Sequence, residues 1–203
     1  MKITKMKNPL AVLFAVLLLL MGTQMALAAP ILQDDFDTEN LGVGALNYAG
    51  FTNWTVSSGT VDLIGDGTIW DFYPGNGLYV DLDGSTNNPG LLSSTISFAP
   101  GAYLVRFYLG GSTLGDTNVV AIVMGVGDFT TNITRNSGDA LELFTYNVTI
   151  NTAGPLTFQN DGTNNIGAIL DNVTVSAVPE PTTMLLLGLG LMGVAGVGRK
   201  FKM

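Results

Sequence analysis

The chain has 203 residues, no cysteine and no histidine, and its 16 acidic residues outnumber its 8 basic ones for a formal charge of −8. Six of the eight cations lie in the first seven or last five residues, so residues 29–178 hold only Arg106 and Arg135 against fifteen acids and contain no lysine. These absences exclude disulfide staples, zinc sites built on His or Cys, and catalysis by Ser-His-Asp or Cys-His groups. The acidic balance excludes nucleic acid and anionic lipid as partners, because binding them needs clustered Lys or Arg.

In chain order, Lys2, Lys5 and Lys7 precede an apolar run at 10–21, and small residues follow at Ala26 and Ala28. A basic start, a short apolar middle and an Ala-x-Ala end are the three parts of a secretory signal peptide, expected over residues 1–28. Cleavage is expected between Ala28 and Ala29. A cut one residue later would put Pro30 directly after the scissile bond, where its ring and missing N–H are poorly tolerated. An uncleaved membrane helix is the competing reading, but the run is well short of the about 20 residues a span needs.

From residue 31 to 177 the apolar residues recur mainly at period two, and Gly, Asn, Asp and Pro cut them into short lengths. That is the pattern of half-buried strands. Strands are expected at 60–64, 78–82, 91–98, 103–109, 119–124, 129–134, 143–150, 156–158 and 169–176, with a first strand around Gln33 to Asp37. The clearest runs from Tyr103 to Leu109 behind a Pro100-Gly101 turn. No stretch sustains a 3.6-residue period, and only 140–143 has room for a single helical turn. Many short strands with frequent turn signals predict an all-β fold for residues 29–177, an antiparallel sandwich in jelly-roll form.

Two segments in this region carry candidate chemistry. Trp54, Trp70, Phe72, Tyr73 and Tyr79 are the rings available for stacking on a sugar, and Trp70 and Tyr73 lead because 70–74 crowds aromatics into a segment that reads as loop. A flat ring covers the apolar face of a pyranose while Asn and Asp bond its hydroxyls; the competing reading is that the same rings pack the core. Asp81-Leu82-Asp83-Gly84 places two carboxylates on one face of a strand end before a glycine. This is either a metal loop, lacking the later acidic ligand of an EF-hand, or ordinary turn chemistry. A glycan hydrolase needs a carboxylate pair about 5 to 10 Å apart. No pair of acids in the sequence stands out for it, so no catalytic residue is assigned and a non-enzyme is expected.

The chain closes with Pro179-Glu180-Pro181, an uncharged stretch at 182–197, and a basic end containing Arg199, Lys200 and Lys202. Sixteen residues rise about 24 Å as a helix against a hydrocarbon core of about 30 Å, so a single transmembrane helix is expected there with snorkelling at its basic end. The positive-inside rule sets that end in the cytoplasm and residues 29–178 outside the inner membrane. The triplet, the short Gly-rich apolar helix and the Arg199-Lys200 cap together resemble the PEP-CTERM sorting domain, here 178–203. The resemblance implies recognition by an exosortase, a membrane cysteine transpeptidase of exopolysaccharide-producing Gram-negative bacteria, with cleavage near the triplet. Two prolines around one glutamate continue neither a helix nor a ladder, which keeps the segment extended and accessible.

The ectodomain, in turn, resembles the jelly-roll modules of the galactose-binding-like superfamily. The resemblance rests on Asn53-Trp54-Thr55-Val56, on 77–85, on 101–107 and on the closing Leu170-Asp171-Asn172-Val173-Thr174-Val175. In such modules the first and last strands lie close together and often share a structural calcium, so it implies a cage from Asp34 or Asp35 together with Asp171. Asp171 as a turn or backbone cap is the competing reading. The whole chain then reads as an exported surface or matrix protein of a Gram-negative bacterium, an inner-membrane intermediate before exosortase processing. It is associated with exopolysaccharide and non-enzymatic, with a glycan-binding lectin-like module and a carboxylate-pair hydrolase as alternatives.

Overall fold

Eleven strands and one short 3-10 turn (Glu39–Gly42) make up the regular structure of the computed structural model, which describes residues 29–162 and 164–179. In chain order the strands are β1 (Pro30–Asp34), β2 (Trp54–Ser57), β3 (Asp62–Gly65), β4 (Leu78–Asp81), β5 (Leu91–Ser94), β6 (Gly101–Gly110), β7 (Thr117–Met124), β8 (Phe129–Asn136), β9 (Glu142–Ile150), β10 (Leu156–Asn160) and β11 (Ile169–Ala177). The signal segment with Ala28, Glu180 and Pro181, the expected transmembrane helix, and the basic end with Arg199 and Lys200 lie outside the described residues. Among the described residues no helix is long and apolar enough to cross a membrane.

The strands form two antiparallel sheets. One runs β3-β4-β11-β6-β9, with β1 also paired to β11, and the other runs β2-β5-β10-β7-β8. The result is the expected all-β jelly-roll sandwich. Period-two alternation drives each sheet's apolar face inward. Tyr103, Val105, Phe107 and Leu109 of β6 are buried opposite Val120, Ile122 and Met124 of β7 and Leu156 and Phe158 of β10. Each such side chain, fully withdrawn from water, stabilises by about 1.5–3 kcal/mol. Aromatic edges lock the sheets together: the Phe158 ring centroid lies 5.1 Å from that of Phe107 and 5.9 Å from that of Trp54.

Strand β11 organises the site-bearing side of the sandwich. One of its flanks carries β6; the other is shared, β4 pairing with Ile169 and Leu170 and β1 with Val173 to Ser176. Between the two partners the register to β6 shifts, and Asn172 takes φ 50°. This is a bulge of the kind that turns a side chain out of its regular place. At its far end Val178 N–H still donates to Ala102 O at 2.8 Å, so the sandwich continues to the residue before Pro179.

The structure differs from the sequence-based strand pattern in four places. The first strand is Pro30–Asp34 and does not run on to Asp37, because Phe36 takes φ 59° and its N–H donates to the Asp34 carboxylate at 2.9 Å. β5 stops at Ser94 and does not reach Phe98, because the Ser94 hydroxyl donates to Ile96 O at 2.8 Å and accepts Leu156 N–H at 3.0 Å, ending the ladder. β2, with four residues between Asn53 and the Ser58-Gly59 turn, adds a strand too short to show an alternation. No helical turn forms at 140–143: Asp139 closes a turn by accepting Asn136 N–H at 2.7 Å, and β9 starts at Glu142.

Candidate functional site

The aromatic loop between β3 and β4 is built on one phenol. Burial among Ile64, Ile169, Phe72 and Tyr73 pushes the Tyr79 hydroxyl far above its ordinary value, so it stays protonated and acts as a hydrogen-bond hub. It accepts the N–H groups of Phe72 (2.5 Å) and Tyr73 (3.1 Å) and donates to the Asp71 carboxylate (3.0 Å). Tyr73 extends the anchoring: its own hydroxyl donates to the carbonyls of Gly111 (2.6 Å) and Asp139 (2.7 Å). Gly110 lies under this ring, where a Cβ would come within 2.2 Å of the Tyr73 hydroxyl oxygen. Two rings of the aromatic cluster are thus consumed in holding the loop.

What the loop holds out is Trp70, which remains 38% exposed, with Ile69 beside it at 88%. Trp70 and Phe72 form one wall of a cleft of about 240 Å³ over the outer face of β3 and β4, and Leu46 and Leu114 stand among its other lining residues. Asp62 and Asp81, cross-strand partners, supply polar groups along with Ser85, Asn164 and Asn165. The Asp62 carboxylate accepts Asn47 N–H (2.6 Å), Ser85 N–H (3.0 Å) and the Ser85 hydroxyl (2.7 Å). Asp81 accepts Asp83 N–H at 2.9 Å. Burial, with Asp62 and Asp83 nearby, pushes its carboxyl well above the usual carboxylate range. Apolar walls with a few placed polar groups are the general form of a small-ligand site.

Of the sequence's site residues, Trp70 therefore lines a cleft. Tyr73 does not: it is a strut, and its partners lie 38 and 66 residues away along the chain. Trp54 is 1% exposed and belongs to the core. Its indole N–H donates to Asp34 at 2.9 Å.

That bond also settles the orientation of Asp34. The residue alternates inward between Gln33 and Asp35, and its carboxylate takes Phe36 N–H (2.9 Å), the Asn53 amide (3.1 Å) and the Trp54 indole. Successive strand residues face opposite sides, so Asp34 is turned to the interior and its carboxylate is taken up by these donors. Asp35 and Asp37 are the acids whose charge reaches Asp171. Asp171 is fully buried on the bulge, and its carboxylate accepts the backbone N–H (2.7 Å) and side-chain amide (3.0 Å) of Asn172. Burial first, then the two acids, push it up to about 7. Among the described residues no three carboxylates sit close enough together to hold a metal.

A larger hollow of about 380 Å³ is bordered by Asp34, Asp35, Glu39, Thr52 and Asn53. It has no aromatic wall, and its buried acids are committed: Glu39 accepts Thr52 N–H at 2.8 Å, as Asp34 accepts Trp54 and its neighbours.

Residues 177–200 match the model of the PEP-CTERM protein-sorting motif. The chain carries that sorting signal. It marks an exported exosortase substrate, secreted with a transient membrane anchor before processing. No curated protein matches the chain. Among solved structures, the chain is similar to the CBM22-1 xylan-binding domain of Xyn10C from Paenibacillus barcinonensis, at 13% identity and a TM-score of 0.48, covering 77% of this chain and 99% of that one. It is similar also to TmCBM61 in complex with beta-1,4-galactotriose, at 19% identity and a TM-score of 0.43, covering 63% and 90%. The cleaved adhesin domain of Lys-gingipain from Porphyromonas gingivalis aligns at 13% identity and a TM-score of 0.48, covering 72% and 97%.

Proposed function

We propose that this PEP-CTERM chain is a non-enzymatic glycan-binding protein of the Gram-negative cell surface or extracellular matrix, and that the cleft beside Trp70 receives a neutral sugar of the surrounding exopolysaccharide. The observation that carries this reading is the exposed Trp70 ring. A loop pinned by Tyr73 and Tyr79 holds it against a cleft containing acceptors and a serine hydroxyl. Ordering that loop in advance removes an entropic cost that binding would otherwise bear. The strongly acidic ectodomain repels polyanions, so a neutral glycan is the partner its charge permits.

Because Trp54 is buried and Trp70 exposed, fluorescence can report on the cleft alone. In a Trp54→Phe background, titration with the producer's own neutral polysaccharide should shift Trp70 emission saturably. Trp70→Ala should lose retention on that polysaccharide with an unchanged melt; retention equal to wild type would overturn the assignment.

One observation favours hydrolysis as a second reading. Asp62 and Asp81 face each other across adjacent strands in the cleft, and burial pushes the Asp81 carboxyl up. A retaining glycosidase needs its two carboxyl groups about 5–5.5 Å apart, a separation that side chains on a facing pair of strand residues can reach. Both side chains are nearly fully buried and engaged in hydrogen bonds, which favours a role as supports. Release of reducing ends from a glycan library, abolished by Asp81→Asn, would establish the second reading in place of the first.

A further inference from the structure

Both walls of the Trp70 cleft are tied to one segment that does not border it. Residues 137–141, between β8 and β9, dock on the connection from β6 to β7 through backbone bonds. Ser137 N–H donates to Asp116 O (2.7 Å), Gly138 N–H to Ser112 O (2.8 Å) and Gly111 N–H to Asp139 O (3.0 Å). Gly115 N–H adds a bond to the Ser137 hydroxyl at 2.9 Å. These bonds flank Leu114, which lines the cleft. The other wall is reached through Tyr73, whose hydroxyl donates to the Gly111 and Asp139 carbonyls. It is reached also through Leu141, which packs with Phe72 and Tyr73 on the buried group of Ile64, Tyr79 and Ile169.

What holds 137–141 in turn is Arg135, near the end of β8 and 7% exposed. Its guanidinium donates to Ala140 O and to the Glu142 carboxylate (3.1 Å), the residues on either side of Leu141. It also lies over the Phe144 ring of β9, 5.6 Å from the centroid. Arg135 belongs to one sheet and Glu142 and Phe144 to the other, so the grip spans the sandwich at its β8 and β9 edges. The Glu142 side chain is 64% exposed, and an ion pair of that kind contributes little by itself. A guanidinium holds its N–H donors in a rigid fork, so it can fix two acceptors at a set separation, which the compact ammonium of lysine does not. Burial pushes the Tyr73 hydroxyl up, which keeps it a donor, and the Arg135 charge acts on it in the opposite sense.

We propose that Arg135 is a positioning residue for glycan binding: by gripping Ala140 and Glu142 it fixes 137–141, and through that segment the separation of Trp70 from Leu114. The inference rests on the reading of the cleft as a sugar site, and it puts a control point for that site on the opposite sheet. Tyr73 alone does not make the aromatic wall rigid, because both of its acceptors are carbonyls whose places depend on how 137–141 is held. Ordering a binding wall beforehand lowers the entropic cost of binding. Loosening it restores that cost, so affinity falls although no contact with the sugar is removed.

The test uses the full chain in detergent with Trp54→Phe, so that Trp70 is the only tryptophan. It reads affinity for the producer's neutral polysaccharide, acrylamide quenching of Trp70, and melting temperature. Arg135→Gln should weaken affinity about tenfold and raise the quenching of Trp70 while the chain stays folded at room temperature. Arg135→Lys, which keeps the charge, should fall between it and wild type, and it carries the test if Arg135→Gln does not fold. Ile133→Val, a core substitution on the same strand, should lower the melting temperature by about 2–5 °C and leave affinity and quenching unchanged. That control separates positioning from general destabilisation. Wild-type affinity and quenching in both Arg135 variants would overturn the proposal, as would Ile133→Val reproducing their effects. No saturable binding by the wild type would sink the sugar reading itself, and quenching would then still show whether Arg135 holds Trp70 in place.

Discussion

The two tryptophans sit in opposite circumstances. Trp54 lies on a strand, is 1% exposed, packs against Phe36 and Phe158 and satisfies its indole on Asp34; Trp70 lies on a loop, is 38% exposed, and its ring borders a cleft. The same residue type is a structural pin in one place and an exposed face in the other. What separates them is the neighbourhood: a strand between two sheets has partners on every side, whereas a loop anchored by other aromatics can hold one ring outward without collapsing onto it. A stacking ring is therefore recognised less by its own chemistry than by the struts that keep it from burying itself.

The contrast is sharpest in stability. Trp54→Ala should destabilise the sandwich by about 3–5 kcal/mol, by leaving a cavity beside Phe36 and Phe158 and stranding Asp34. Chemical denaturation would show it as a lower midpoint at unchanged slope. Tyr73→Phe removes the hydroxyl that ties the loop to Gly111 and Asp139 and should cost about 1–2 kcal/mol. If that tie is what preorganises Trp70, the variant should also weaken glycan retention while its cleft residues stay in place. Trp70→Ala should change stability by no more than about 0.5 kcal/mol, as expected of an exposed residue. A large loss there would mean that Trp70 is a packing residue and the two tryptophans are alike.

A pH series breaks the comparison in another way, because it reports on the acids and leaves the rings untouched. Asp171 holds its proton up to about 7 in the folded state and loses it near 3.9 when unfolded. Between these values the folded chain binds more protons than the unfolded one, so stability falls as pH rises through that window. In chelator, the melting temperature should therefore drop between pH 5 and pH 7.5, and Asp171→Asn should flatten the trend. A wild-type melt that climbs over the same range would show that Asp171 stays ionised in the fold.

Much of the sandwich was legible because alternation is a local property. Tyr103 to Leu109 carries its inward and outward faces in adjacent residues, and it forms the middle of β6. Shorter signals failed for a physical reason. Four residues of β2 cannot display a period, and the end of β5 was decided by a hydroxyl bonded to Leu156, 62 residues away. Of the candidate site, Trp70 could be singled out from aromatic crowding, but nothing near Tyr73 in the chain indicates that Gly111 and Asp139 would claim its hydroxyl. Asn118 and Asn160 occupy inward positions of otherwise apolar alternations, and the two amides bond each other at 2.7 Å. A polar residue in a core register is the mark of a partner to be found.

Composition and pattern by themselves determined that the exported part would be an acidic, lysine-free, cysteine-free β-sandwich, and that the chain would end in a sorting signal, since these depend on counting residues and on short-range spacing. Only the tertiary structure decided which way each acid and each ring would face. A strand shifted by one residue exchanges its two faces, and the partners that hold Asp34, Tyr73 and Asp83 come from distant elements brought together by the pairing of the sheets.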